Sequence, residues 1–406
     1  MVGRQGTGRQ NWATLTLALS VTLLVQFAQH GTRPMASYRA LGLDATVEQL
    51  GFLALSFGAL AIATAIPVGR LVDRRGARAT TVGGIALLGC AAVAHGIVTN
   101  LVGLVIAHTV LGVGVIFAVV GLQAIVGNAG PSEGADFRFG LFGAAVSLGQ
   151  VLGPMVAGGM AEAVIASDIA GPTDPFGTAP TFILSGVLCA AAAIAALWLP
   201  RFPGGSREAR FYESVAGVKP GLGSVLRAPH MGKALWASMV VLTATDILTV
   251  YLPAIGAERG WSVGFVSILL AVRATFAFAV RVGAAILVRL LGRRPLLMGA
   301  CVIGAVSLLL MAPDLAPWAA MLLMATTGLA LGIGQPLTMA WVSRTAPDEL
   351  RATALATRIT ANRVGQSLIP VVVGGVAALV GSGAIFVVMS ALLVSTSLAV
   401  ARSNLR

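Results

Sequence analysis

Charge is what this sequence has least of. Only 10% of its 406 residues are Asp, Glu, Lys or Arg, against about 25% in soluble globular proteins. A chain so poor in charge and 57% hydrophobic cannot cover a water-facing surface, which excludes an ordinary soluble domain and points to an integral membrane protein. Acids are scarcest, 15 Asp and Glu against 27 Lys and Arg. The three cysteines, Cys90, Cys189 and Cys301, show no CxxC or Cys/His spacing and read as small buried apolar residues rather than metal or redox groups. HExxH, a P-loop and Asp/Glu-rich metal sites are all missing, so the reading is of a non-enzyme without cofactor or metal and without ATP as its energy source. The net charge of +12 is scattered between apolar runs, and no basic, aromatic-interleaved module is left over to hold nucleic acid.

What is present is a series of apolar stretches of about 20 residues, the length an α-helix needs to cross a ~30 Å hydrocarbon core. Period-two alternation, the mark of a membrane β-strand, is absent. Spans are expected at 12–31, 47–69, 79–99, 101–126, 137–163, 179–199, 234–256, 262–288, 295–312, 316–342, 353–380 and 383–401. The expected fold is therefore an all-α integral membrane protein of twelve transmembrane helices. Arg39 and Arg259 are the only basic residues between spans on one side, and nearly all the others outside the spans fall on the opposite side with both termini. The positive-inside rule then predicts cytoplasmic termini in a multi-pass protein of a bacterial inner membrane. The first stretch follows Arg4 and Arg9 like a signal peptide but has no convincing cleavage site, and is taken as a retained helix.

The string GQVLGPMVAGG at 149–159 returns as GQSLIPVVVGG at 365–375, an offset of 216 that also aligns Gly76 and Arg78 with Gly292 and Arg294, and Gly112 with Gly328. One offset at three places implies a duplicated half. The expected organisation is a six-helix bundle over 1–200, a cytoplasmic linker over 201–233 containing Pro203, Gly204, Gly205 and Arg207, and a second bundle over 234–406, the two pseudo-symmetric. Parallel halves of this kind form transporters that hold substrate between them near the midplane.

GRLVDRRGAR (69–78) resembles the loop between spans 2 and 3 of the major facilitator superfamily, with Gly69, Asp73, Arg74, Gly76 and Arg78 in place and Ala77 where an Arg is usual. AILVRLLGRR (285–294) keeps Gly292, Arg293 and Arg294 of the second copy but has Arg289 where the Asp would stand. Gly140, Gly149, Gly153, Pro154 and Gly158 are spaced like the span-5 signature of the superfamily's drug:proton antiporters, with Ala157 in place of one glycine. His108, in AHTVLGVG (107–114), replaces the intramembrane Arg usual in span 4 of those antiporters. The resemblance implies the major facilitator fold and a loop at 69–78 that latches one end closed. Candidate partners for that latch are Asp136, Asp348 and Glu349. It also implies that spans 5 and 11 meet helices of the opposite half at an interface that opens and closes.

On physical grounds, Gly149, Gly153 and Ala157 at i, i+4 and i+8 give span 5 a smooth face, and Pro154 and Pro370 add kinks, so Gly140, Gly149, Gly153, Pro154, Gly158 and Pro370 form a hinge and packing set. Tight static packing is the alternative. Arg33, Arg273, Arg281, Arg358 and Arg363 lie inside spans, where each cation facing lipid would cost about 2.5–3.5 kcal/mol. Most must therefore face protein, water or an interface. Gln26, His30 and Arg33 share one face of span 1, and Arg358, Asn362 and Gln366 one face of span 11. Asp246 is read as the one deep carboxylate, at the depth of Arg273, and His30 and His108 as the other titratable groups. Together with Arg273 these make up the expected substrate-binding or proton-coupling set, beside the alternative of structural bonding between helices; structural roles lead for Arg281 and Arg363. The expected function is proton-coupled export of an organic anion or amphiphilic small molecule by a monomer in the lipid bilayer. Proton-coupled uptake of an organic anion and a non-transporting receptor or scaffold are the alternatives.

Overall fold

The structure is a computed structural model and describes residues 11–131, 134–171, 174–201, 225–346 and 351–403. Among these residues the regular structure is helical: α1 (Trp12–Leu41), α2 (Val47–Arg75), α3 (Ala77–Ile97), α4 (Leu101–Gly127), α5 (Ala135–Ala166), α6 (Ala179–Ala196), α7 (Met231–Glu258), α8 (Val263–Val282), α9 (Ala284–Leu291), α10 (Arg293–Leu310), α11 (Pro317–Thr345), α12 (Arg351–Val380) and α13 (Ala384–Ala401). Eleven of them are long and apolar enough to cross a membrane. The twelfth, α2, has 29 residues and a described apolar stretch of Val47–Leu60.

The helix starts follow local chemistry. Asn11, Asn100 and Ser262 each place a side-chain oxygen on an N–H of the first turn, at 3.1, 2.8 and 3.2 Å. Thr46 and Gln49 satisfy one another's backbone N–H groups as a capping box. Gly76 and Gly292 stop one helix and start the next at φ of 83° and 77°, a conformation that favours glycine. They are equivalent in the duplication, so the second half repeats the first down to this turn.

The packing repeats as well. In the first half α1 contacts α4, α5 and α6, α3 contacts α4 and α6, and α2 contacts α4. In the second, α7 contacts α11, α12 and α13, α10 contacts α11 and α13, and α8 contacts α11. The result is two pseudo-symmetric six-helix bundles, with the short α9 continuing α8 beyond a break at Gly283. The halves meet where α2 packs on α12 and α5 on α8, each crossing the two-fold counterpart of the other.

Two spans differ from expectation. The predicted span 262–288 stops at Val282, because Gly283, a weak helix former, ends α8 and lets α9 leave with none of its residues buried. In the opposite direction, α1 continues ten residues beyond the predicted end, through Pro34 to Leu41. Thr32, Arg33, Ser37 and Arg39 interrupt the apolar run there, but every residue from Gly31 to Ala40 is buried. The same holds for α7 from Ile247 to Gly256. Both central helices are thus enclosed at one end of the molecule, here the far end. The opposite, terminal end carries residue 11, whose N–H donates to Ala129 at 2.9 Å, and residue 402, whose carbonyl accepts from Lys233 at 2.7 Å.

Candidate functional site

The two copies of the repeated string divide their glycines between two tasks. A Cβ at Gly149 or Gly153 would come within 2.5 Å of Gln26 Cβ or 2.6 Å of the Phe27 carbonyl oxygen, so these two bring α5 onto α1 inside one half. Gly158 faces the other half, where its Cβ would lie 2.3 Å from Ser267 on α8. In the second copy Gly365 meets Met239 and Thr243 of α7, whereas Gly374 meets Tyr251 and crosses to Val47 and Glu48 of α2. The first glycine of each string therefore fixes a helix within its bundle and the late glycine forms the seam between bundles. Pro154 and Pro370 lie between these contacts. The carbonyl of Pro370 accepts the Tyr251 hydroxyl at 2.7 Å. Gly140 is exposed with open space around its Cβ position.

Beneath the enclosed ends of α1 and α7 the halves are joined by charge. Arg33 Nη1 donates to Asp246 Oδ1 at 2.8 Å, with both side chains largely buried. Gln366 donates to the other carboxylate oxygen, and Arg363 Nη1 donates to Gln366 Oε1 at 3.2 Å. One carboxylate therefore serves an arginine of α1 directly and an arginine of α12 through a glutamine. Arg33 also stacks over the Phe57 ring at 4.4 Å. The expected partner of Asp246 at matching depth was Arg273, but depth alone does not assign a face: Arg33 holds the carboxylate.

Arg273 is buried and its Nε has no hydrogen-bond partner. Its carbonyl lies 2.3 Å from where a Cβ of Gly328 would be, just as the Phe57 carbonyl lies 2.3 Å from that of Gly112. Phe57 and Arg273 are equivalents at the 216-residue offset, as are His30 and Asp246. The duplication has thus placed an aromatic ring and an imidazole in one half where the other carries a cation and a carboxylate. Phe57 was missed by the sequence reading; applying the offset to Arg273 would have found it.

His30 donates its Nδ1–H to the Gln26 carbonyl at 2.9 Å. His108 pairs with His95, which the sequence reading also missed: the rings approach at 3.0 Å between His95 Nε2 and His108 Nδ1, and His95 Nδ1–H donates to the Ala91 carbonyl at 2.6 Å. With that bond made, neutral His95 accepts through Nε2 and His108 donates. The pair sits between α3 and α4, with Phe57 at 5.4 Å from the His108 ring. Arg358 donates to the Gln335 carbonyl at 3.3 Å. Asn362 is buried with its Oδ1 unpartnered.

In the first turn of α3, Arg78 donates to the carbonyls of Leu197 and Leu199, at 2.8 and 3.3 Å, beyond the end of α6. Its counterpart Arg294 does the same for Ala401 at the end of α13. Each arginine closes the last helix of its own half, as a cation suits a helix C-terminus. Gly69, Asp73 and Arg74 belong to α2, but their side chains, like that of Asp136, lie outside the described residues, as do Asp348 and Glu349 entirely. Arg138, another buried arginine, caps α4 through the carbonyls of Val126 and Gly127 and also donates to that of Pro131 in the segment that follows.

The duplicated bundles, the seam of α2 with α12 and α5 with α8, and the charged link at mid-molecule coincide with one family. The model of the Major Facilitator Superfamily matches residues 18–370. The chain belongs to that superfamily. Among solved structures it resembles the nucleoside transporter NupG (TM-score 0.77, 15% identity, 95% of this chain and 98% of that one). It also resembles a POT family transporter in complex with a thioalcohol-conjugated peptide (0.72, 16%, 95% and 94%). A third is a bacterial homologue of the human lysosomal transporter Spinster in an inward-facing, occupied conformation (0.73, 14%, 97% and 96%). No curated protein matches it in sequence. At such identities the structures share the fold of this superfamily transporter and nothing finer.

Proposed function

We propose that this chain is a proton-coupled secondary transporter that exports an organic anion or amphiphilic compound across a bacterial inner membrane by alternating access, as a monomer. The observation that carries the reading is the Arg33–Asp246 pair, because it joins the halves, is largely buried and engages the carboxylate read as deep in a span, beside the intramembrane cations Arg33, Arg273, Arg281, Arg358 and Arg363. The two moving bodies are residues 1–200 and 234–406, connected by 201–233. With the termini cytoplasmic, as the basic loops favour, the enclosed far end faces outward. Opening the far end must part α1 from α7 and with them Arg33 from Asp246. A proton on Asp246, or a substrate anion on Arg33, removes the attraction that opposes this movement. Either event alone breaks the same pair, so the far end can open with a proton or with substrate bound and stays shut with neither, a condition that exchange of one for the other requires.

Substrate uptake driven by an imposed pH gradient, measured with counterflow in proteoliposomes, tests this. Export predicts that accumulation follows an acidic compartment opposite the substrate, and that Asp246→Asn keeps counterflow while losing the response to pH. Accumulation alongside protons would instead establish uptake. Transport indifferent to pH in the native protein would overturn the coupling.

A further inference from the structure

Within the second half, two arginines converge on one residue. Arg281 of α8 donates through Nη2 to Gln335 Oε1 at 3.4 Å and through Nε to the Gly332 carbonyl at 3.3 Å. Arg358 of α12 donates through Nη2 to the carbonyl of the same Gln335 at 3.3 Å, and its Nε is buried without a partner. All three bonds are at the long end for N–H···O, and all are made to neutral acceptors. No carboxylate pairs with either guanidinium among the described residues. Two cations from two helices thus meet one residue, through its backbone and through its side chain, and each guanidinium has five N–H donors to satisfy. Arg273, two helical turns from Arg281 toward mid-membrane, repeats the deficit. Water can solvate such groups, but an oxyanion would both satisfy the donors and neutralise the buried charge.

We propose that Arg281 and Arg358, braced on Gln335, form a clamp for a doubly charged oxyanion group, a phosphate monoester or a compact dicarboxylate end, on the substrate. This rests on the reading of the chain as an anion transporter and narrows it, since a single carboxylate would meet only one of the paired guanidiniums fully. Gln335 sets the spacing, with its backbone holding one arginine and its amide the other. Arg273 stands further along the same wall, on the path between the clamp and the Arg33–Asp246 link. The clamp lies between Arg273 and the terminal end, so a cytoplasmic dianion reaches it first and the central site second.

The test uses the purified full-length protein in detergent, with inorganic phosphate, sulfate and acetate as probes and chloride at matched ionic strength as the control. Binding is read by thermal shift and by calorimetry. Phosphate and sulfate are expected to raise the melting temperature, and acetate much less. Arg281→Gln and Arg358→Gln should each weaken phosphate binding by roughly tenfold or more, and the double variant little further, because either loss leaves half a clamp. Gln335→Leu keeps the backbone carbonyl for Arg358 but frees Arg281, and should resemble Arg281→Gln. If phosphate stabilises the native protein and both arginine variants equally, while Arg273→Gln abolishes the effect, the clamp is wrong and the anion-transport reading stands. If no anion stabilises the native protein beyond chloride, both are overturned.

Discussion

At the scale of single residues, the pairing of Asp246 separates structural from functional charge. Removing one partner of a buried pair leaves an unpaired charge and costs about 3–5 kcal/mol, whereas removing both costs far less. Asp246→Asn and Arg33→Gln should each lower the thermal stability of the purified protein, and the double variant should recover most of it. Recovery of stability without recovery of pH-driven transport is the expected combination. A double variant that regained full pH-driven transport would show the pair to be structural only, leaving His30 or His108 to carry the proton. The His95–His108 pair supplies its own discriminating case. His108→Leu leaves the buried Nε2 of His95 without a donor, a loss of about 1–3 kcal/mol, while replacing both histidines with leucine restores a matched apolar contact. The double leucine variant should therefore fold nearly as stably as the native protein and keep its pH response. Loss of that response in a well-folded double variant would move the coupling site from α7 to α3 and α4.

At the scale of helices, the glycines of α5 predict two different failures from one substitution type. Gly153 is pressed against the Phe27 carbonyl of its own half and Gly158 against Ser267 of the other. Gly153→Leu should thus damage the first bundle itself, lowering melting temperature and yield, and Gly158→Leu should leave the bundle sound and stop transport. Equal stability losses in both would contradict the division. The spacing turns Gly158 about 140° around the helix from Gly153, but it does not say which neighbour either face meets, so the division was only half legible in the sequence. The spans, the duplication and the equivalence of Gly76 with Gly292 were legible, since each depends on local apolarity or on backbone conformation. The end of α1 was not: Thr32, Arg33, Ser37 and Arg39 are polar, and only the tertiary enclosure of that segment, with Arg39 donating to the Val98 carbonyl at 2.8 Å, keeps it helical and buried. Arg33 as the partner of Asp246 was hidden for a related reason. Both residues were recognised as candidates, yet pairing across 213 positions of sequence depends on how the halves sit together.

At the scale of the whole molecule, the same seam recurs twice about the pseudo-two-fold axis, and this makes the conformational change testable from either side. Gly158 against Ser267 and Gly374 against Val47 and Glu48 are equivalent contacts at the far end. A third link lies beside the first, where Glu162 of α5 accepts from the Gly264 N–H of α8 at 2.8 Å, placing a carboxylate on the first turn of a helix belonging to the other half. Between the two seams, Gly31–Ala40 of α1 and Ile247–Gly256 of α7 are buried throughout, and Ser37 has only 1% of its surface exposed. A leucine at either glycine wedges the far end apart without touching the mid-molecule charges. In proteoliposomes carrying Ser37→Cys, a membrane-impermeant maleimide added at the far end should label slowly in the otherwise native protein and much faster with Gly158→Leu. Gly374→Leu should act in the same direction, because the two-fold relation makes the wedges equivalent, and Gly153→Leu should not, because it acts inside one half. Cys90 is exposed on α3 and is replaced by alanine in every sample so that the signal reports position 37 alone. Acceleration by one seam variant and not the other would mean that the far end opens by a hinge along a single edge. Acceleration by neither would show that the glycine seams do not hold the far end closed.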